Sequence, residues 1–148
     1  KETGRIIADV LNIPCEEAEN LHEHERRGVA FMDARTFQQT VQTFFAQPDQ
    51  LIFGQETANQ ALRRFDQAVK QVLLKYPDQW IVIVTHASVL SLFVAHYNAL
   101  SAYEFWKNLV LPCKIEGHYQ KRALTPVHIL RYLHSFCSFL TALYKEDC

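Results

Sequence analysis

Two short stretches carry the residue types that do chemistry. One is Thr85-His86. The other is the run Leu21-His22-Glu23-His24-Glu25-Arg26-Arg27. An imidazole can give or take a proton near neutral pH. A carboxyl group held close to a reacting oxygen can act as general acid or base. His86 follows Ile81-Val82-Ile83-Val84 and precedes Ala87-Ser88-Val89-Leu90. The first group reads as a strand buried on both faces and the second as the start of a helix. In open α/β sheets, ligands bind at that edge, outside the carboxyl ends of the strands. The free N–H groups at the start of the helix favour an anion there. A phosphate-like ligand met by an imidazole is one reading of His86, and a turn-capping histidine is the other.

The acidic run has three readings. His22, Glu23, His24 and Glu25 together suggest a metal cluster. However, neighbouring residues do not share one face of a helix or strand, so at most two could reach one ion. The H-E-x-x-H spacing is also absent. A solvated polar loop is the second reading. The third is a loop from which a single glutamate points into a site.

The elements that must position these residues follow from periodicity. Ile6, Ile7, Val10 and Leu11 place a helix over Glu2 to Leu11, ended by Asn12-Ile13-Pro14. Val29 to Phe45 carries Phe31, Phe37, Val41, Phe44 and Phe45, with a helix in its later part and its aromatics in the core. Gln47-Pro48-Asp49-Gln50 is a turn. Thr57 is placed to cap a helix. Ala61, Leu62, Phe65, Ala68, Val69, Val72 and Leu73 then recur at three- and four-residue steps, with Arg63, Asp66, Lys70 and Gln71 facing out. Tyr76-Pro77-Asp78 stops that helix before the strand at Ile81. Val89, Leu90, Leu92, Phe93 and Val94 make the next helix apolar nearly all round. Helix, strand and helix form an αβα unit.

Composition bounds the function classes. The chain has 148 residues, 49% hydrophobic and 21% charged, with formal net charge −1. That fits one globular domain with a sizeable core. It gives no electrostatic case for nucleic acid or an anionic membrane surface. Cys15, Cys113, Cys137 and Cys148 form no C-x-x-C pair, so neither zinc nor a disulfide framework is indicated. Reduced thiols in a cytoplasmic protein are the default. No signal peptide or membrane-spanning apolar run is evident.

The ordered motifs resemble the histidine phosphatase superfamily, also called phosphoglycerate mutase-like. Glu2-Thr3 with Ile6-Ile7-Ala8 and Leu11-Asn12-Ile13 is similar to the family's first helix. Leu21-His22-Glu23-His24, with Arg26 or Arg27 and Gly28, resembles the stretch that supplies an acid. Phe53-Gly54-Gln55-Glu56-Thr57, with Arg64-Phe65, resembles its G-E-[ST]…R-F segment. Ile81 to Ala87 resembles the strand ending in T-H-[GA]. Phe105-Trp106 and Leu109 to Pro112 resemble the W-x-x-L-x-L-P that follows.

The resemblance implies an enzyme that uses a nucleophilic histidine and passes through a phosphohistidine, which splits one displacement into two easier ones. It implies that His86 is the second, phosphate-binding histidine, stabilising transition-state charge. It implies that Glu23 is the general acid and then the base for water, and that the Ala87 N–H is a further phosphate donor. Arg64 would be mostly structural. No metal or cofactor is implied. The expected ligand is a phosphorylated small-molecule substrate, and a homodimer is compatible with the pattern. A phosphatase is favoured over a mutase because long insertions are not evident.

The resemblance also fails in two places. The family's Arg-His-Gly occurs nowhere in the sequence. The expectation is therefore a fragment lacking its first strand and nucleophile, with little activity as written. The competing expectation is a non-catalytic member that binds a phosphorylated ligand or a protein partner. Beyond Pro112, Cys113 to Arg122 alternates poorly, and Thr125 to Tyr144 shows a broad helical stripe opened by Pro126. Its His128 and His134 are poorly spaced for one ligand set. The expected fold is thus α/β, a three-layer αβα sandwich around a mostly parallel sheet. It divides into a partial family domain over 1–113 and a divergent segment over 114–148 with a helix.

Overall fold

A computed structural model describes residues 1–77 and 79–109, together with the backbone of three strands beyond them. The elements run α1 (Glu2–Leu11), α2 (Ala34–Ala46), α3 (Ala58–Lys75), β1 (Ile81–Val84), α4 (Ala87–Asn98) and α5 (Ala102–Lys107). They continue with β2 (Lys114–Gln120), β3 (Ala123–Leu130) and β4 (Leu140–Tyr144). Prolines and capping side chains set the boundaries. Asn12 closes α1 in the left-handed region at φ 53°, a conformation that Asn tolerates better than most residues. Asp33 opens α2 by accepting from the N–H groups of Arg35 and Thr36. Thr57 opens α3 through a reciprocal capping box with Gln60.

The core lies between α2, α3, β1 and α4. Val41 and Phe44 of α2 meet Phe65 and Val69 of α3, Ile83 of β1, and Val89, Leu92 and Phe93 of α4. Phe65 and Phe93 pack edge to face at 5.4 Å, a favoured aromatic geometry. The other side of α4 presents Leu90 and Val94 to Phe105 and Leu109. The all-round apolar character read from the sequence of α4 therefore corresponds to burial on two sides.

Several expectations are corrected. The sheet has the order β1-β4-β2-β3. β1–β4 and β2–β3 are antiparallel and only β2–β4 is parallel, so the described sheet is not mostly parallel. In β1 only Ile83 is fully buried, while Ile81, Val82 and Val84 are half-covered. Ile81 and Ile83 share the face toward the helical core, as strand alternation requires.

The expected helix over Thr125 to Tyr144 is strand wherever it is described, in β3 and β4. Thr125, Val127 and Ile129 are β-branched at alternate positions, which suits extended chain. The pairing skips Val127, from Glu116↔His128 to Gly117↔Pro126. Pro126 therefore sits beside a bulge on the last strand of the order, where a proline is tolerated. Cys113 and His134 lie outside the described residues, as do Cys137 and Cys148.

Two side chains also depart from expectation. Phe31 is 99% exposed rather than core, because α2 starts only after the Asp33 cap and Phe31 precedes its periodicity. Asp66 does not face out. It is half-buried, accepting from the Tyr97 hydroxyl and pairing with Lys70 at 2.7 Å. Among the described residues, no helix is long and apolar enough to cross a membrane.

Candidate active site at the start of α4

The first turn of α4 must find partners for N–H groups that the helix cannot satisfy itself. His86 is its N-cap, with an extended backbone and no side-chain cap bond. Its carbonyl accepts from Leu90 N at 3.1 Å. The Glu23 carboxylate takes the next two donors. Its Oε2 accepts from Ser88 N and its Oε1 from Val89 N, both at 3.2 Å. Oε1 also accepts from the N–H of His24 at 2.8 Å. The anion favoured by a helix N-terminus is thus supplied by the protein's own loop. The imidazole of His86 is exposed beside it, and Ala87 is half-buried as the first residue of α4.

The loop that delivers Glu23 has no regular structure, so its geometry comes from side chains. Arg64 spends its guanidinium on it, donating to the carbonyls of Asn20 (2.8 Å), His22 (3.1 Å) and Glu23 (3.2 Å). The same guanidinium pairs with Glu56 at 2.6 Å, with both side chains mostly buried. Thr85 Oγ1 donates to the Leu21 carbonyl at 2.8 Å. The dipeptide Thr85-His86 therefore divides its work: Thr85 holds the loop and His86 faces solvent.

The segment Phe53 to Thr57 forms the other side of this mount. Glu56 accepts from Glu25 N at 3.0 Å, and its backbone carbonyl bonds His24 Nε2 at 3.0 Å. Burial raises the Glu56 carboxyl, but Arg64 and the Glu25 N–H outweigh it and hold the group below its ordinary value. Gln55 N donates to the Glu25 carbonyl at 2.8 Å, and Gln55 Nε2 donates to the Arg27 carbonyl at 3.0 Å. Gly54 has φ +81°, and a Cβ there would lie 2.2 Å from the Glu25 carbonyl oxygen. Only glycine allows that approach.

His24 is 2% exposed, between the rings of Phe44 and Phe53. Burial pushes its pKa down. The Glu56 carbonyl opposes this, and nearby Arg26 adds to it. The neutral ring donates from Nε2, since the carbonyl can only accept. Its Nδ1 is buried with no partner among the described residues. The loop, for which a solvated stretch was one of three readings, thus carries a core histidine, while His22 is exposed. Among the described residues no group of three or more candidate ligands could hold a metal.

The structure separates the two candidate acids. Glu23 faces α4, whereas Glu25 turns to Arg27 at 3.0 Å. Arg64 is inward and Arg63 outward, as expected. Arg26 was named only as an alternative to Arg27, with no role, and Ser88 was missed. Arg26 Nη2 donates to Ser88 Oγ at 3.0 Å and lies 3.3 Å from Glu23 Oε2. Sequence gives no means of telling Arg26 from Arg27 in an irregular loop. Ser88 carried a weak signal, as a polar residue in the first turn of a largely apolar helix.

The sequence model of the histidine phosphatase superfamily (branch 1) matches residues 1–119, which includes every residue of this site. No curated protein and no solved structure matches the chain significantly.

Proposed function

The chain belongs to the histidine phosphatase superfamily, and from that premise we propose that the start of α4 is the acid-and-second-histidine half of a phosphomonoester-hydrolysing site. The observation that carries this reading is the convergence of Glu23 and His86. The Glu23 carboxylate is bound to the N–H groups of the second and third residues after His86. An acid–base group and an imidazole thereby share one helix terminus.

Each residue then has a role. His86 and the Ala87 N–H meet the equatorial oxygens of the phosphoryl group, where negative charge is spread in the transition state. Glu23 gives its proton to the leaving oxygen as the ester P–O bond breaks. It takes a proton from the water that later releases phosphate. The nucleophile of the family route is the histidine of Arg-His-Gly, a tripeptide absent from these 148 residues. The second reading is that the same pocket binds a phosphorylated ligand or a protein partner without turnover.

The deciding assay is hydrolysis of p-nitrophenyl phosphate by the protein expressed from its complete reading frame. The enzyme reading expects turnover. His86→Ala should lower kcat/KM by about 10²–10³, the scale of one oxyanion-type donor. Turnover that survives in His86→Ala at the original level would contradict the assignment. Binding of phosphate without turnover would favour the second reading.

A further inference from the structure

Arg26 has no role in the site as assigned above, yet α2, the segment before α3 and α4 converge on it. Its guanidinium carbon lies 5.3 Å from the ring centre of Phe37 in α2 and 5.7 Å from that of Phe53. Those distances are within cation–π range. Nη2 reaches Ser88 Oγ in α4 at 3.0 Å. The Ser88 hydroxyl is itself buried, which makes it a fixed acceptor. From that clamped position Nη2 stands 3.3 Å from Glu23 Oε2. Arg26 Nε is buried without a partner among the described residues. Its neighbour Arg27 is 84% exposed and pairs with Glu25 instead.

We propose that Arg26 is a positioning residue, clamped by Phe37, Phe53 and Ser88, that holds the Glu23 carboxyl in place for proton transfer to the leaving group. The proposal rests on the phosphomonoesterase reading. A planar guanidinium suits this task because its donors keep a fixed fork while its face lies against the rings. The consequence is selective. An alkoxide leaves only with a proton, whereas p-nitrophenolate is a weak base that leaves largely without one. Misplacing the acid therefore harms alkyl phosphates more than aryl phosphates.

The test measures kcat/KM for p-nitrophenyl phosphate and glycerol 2-phosphate with the protein from its complete reading frame. The variants are Arg26→Gln, Glu23→Gln and their double. Arg26→Gln should lower the alkyl phosphate value about 100-fold and the aryl value less than about 10-fold, on the scale of general-acid effects. In the Glu23→Gln background it should add nothing further, because its effect passes through Glu23. Arg27→Gln, the exposed control, should match the unaltered enzyme. Equal losses on both substrates, or a full additional loss in the double variant, overturn the role of Arg26 while leaving the phosphatase reading standing. Failure of the unaltered protein to hydrolyse either substrate overturns both. If Arg26→Gln does not fold, Arg26→Lys keeps the charge and stem, loses the fork, and reads the same substrate difference.

Discussion

Glu23 and Glu25 are two positions apart in one acidic run, and their surroundings give them different tasks. Three N–H groups and Arg26 surround the first, while the second pairs with the exposed Arg27. Glu23→Gln should therefore lower turnover of alkyl phosphates by about 10²–10⁴, and Glu25→Gln should leave kcat within a few-fold. Gly54 is the backbone counterpart. Gly54→Ala combines a left-handed φ with a 2.2 Å approach to the Glu25 carbonyl, so a loss of at least about 2 kcal/mol is expected in denaturant unfolding. His24 adds a pH dependence. Burial first of all lowers its pKa from 6.5 in the folded state, so between that lowered value and 6.5 the unfolded chain binds more protons. Stability contributed by neutral His24 is complete above that window and falls as pH drops through it. Midpoints of thermal unfolding across this range should fall with pH, and His24→Gln should flatten the slope.

At the scale of elements, α1 to α4 were legible because local rules agree with tertiary packing, whereas the short α5 was not read. The 3.6-residue spacing in α3 coincides with burial of Ala61, Phe65, Ala68 and Val69, and Thr57 is its cap. Thr57→Ala should cost about 1 kcal/mol, measured by chemical denaturation. The loop over residues 20–28 was legible only as a polar stretch. Its shape comes from partners 28 to 66 positions away, among them Gln55, Arg64, Thr85 and Ser88. No local pattern encodes such bonds. Gly54 was the one local trace, a glycine beside a cap signal. The resemblance singled out Glu23 and His86, but the clamp around them needed coordinates.

At the scale of the molecule, α4 is the shared wall of two apolar clusters and the floor of the site. Core damage there should reach the site. Phe93→Ala, which removes a ring packed on Phe65 and Tyr97, should destabilise the fold by about 3–5 kcal/mol in denaturant titration. The sheet was the least legible part. The apolar run of β1 signalled a strand, but its partner is β4, some 60 residues later, through Ile81↔Leu143 to Val84↔Leu140. Pairing at that separation leaves no periodic mark, and a stripe at helical spacing over residues 127–143 outweighed the β-branched alternation of β3.

In the proposed reading, the first turn of α4, with Glu23 and His86, receives a phosphoryl group. The most direct measurement is titration of inorganic phosphate into the ¹⁵N-labelled protein, following backbone amides. Saturable shifts concentrated at the amides of His86 and Ala87 are expected, weakened in His86→Ala. Shifts centred elsewhere on the molecule, or none at these amides up to millimolar phosphate, would contradict that reading.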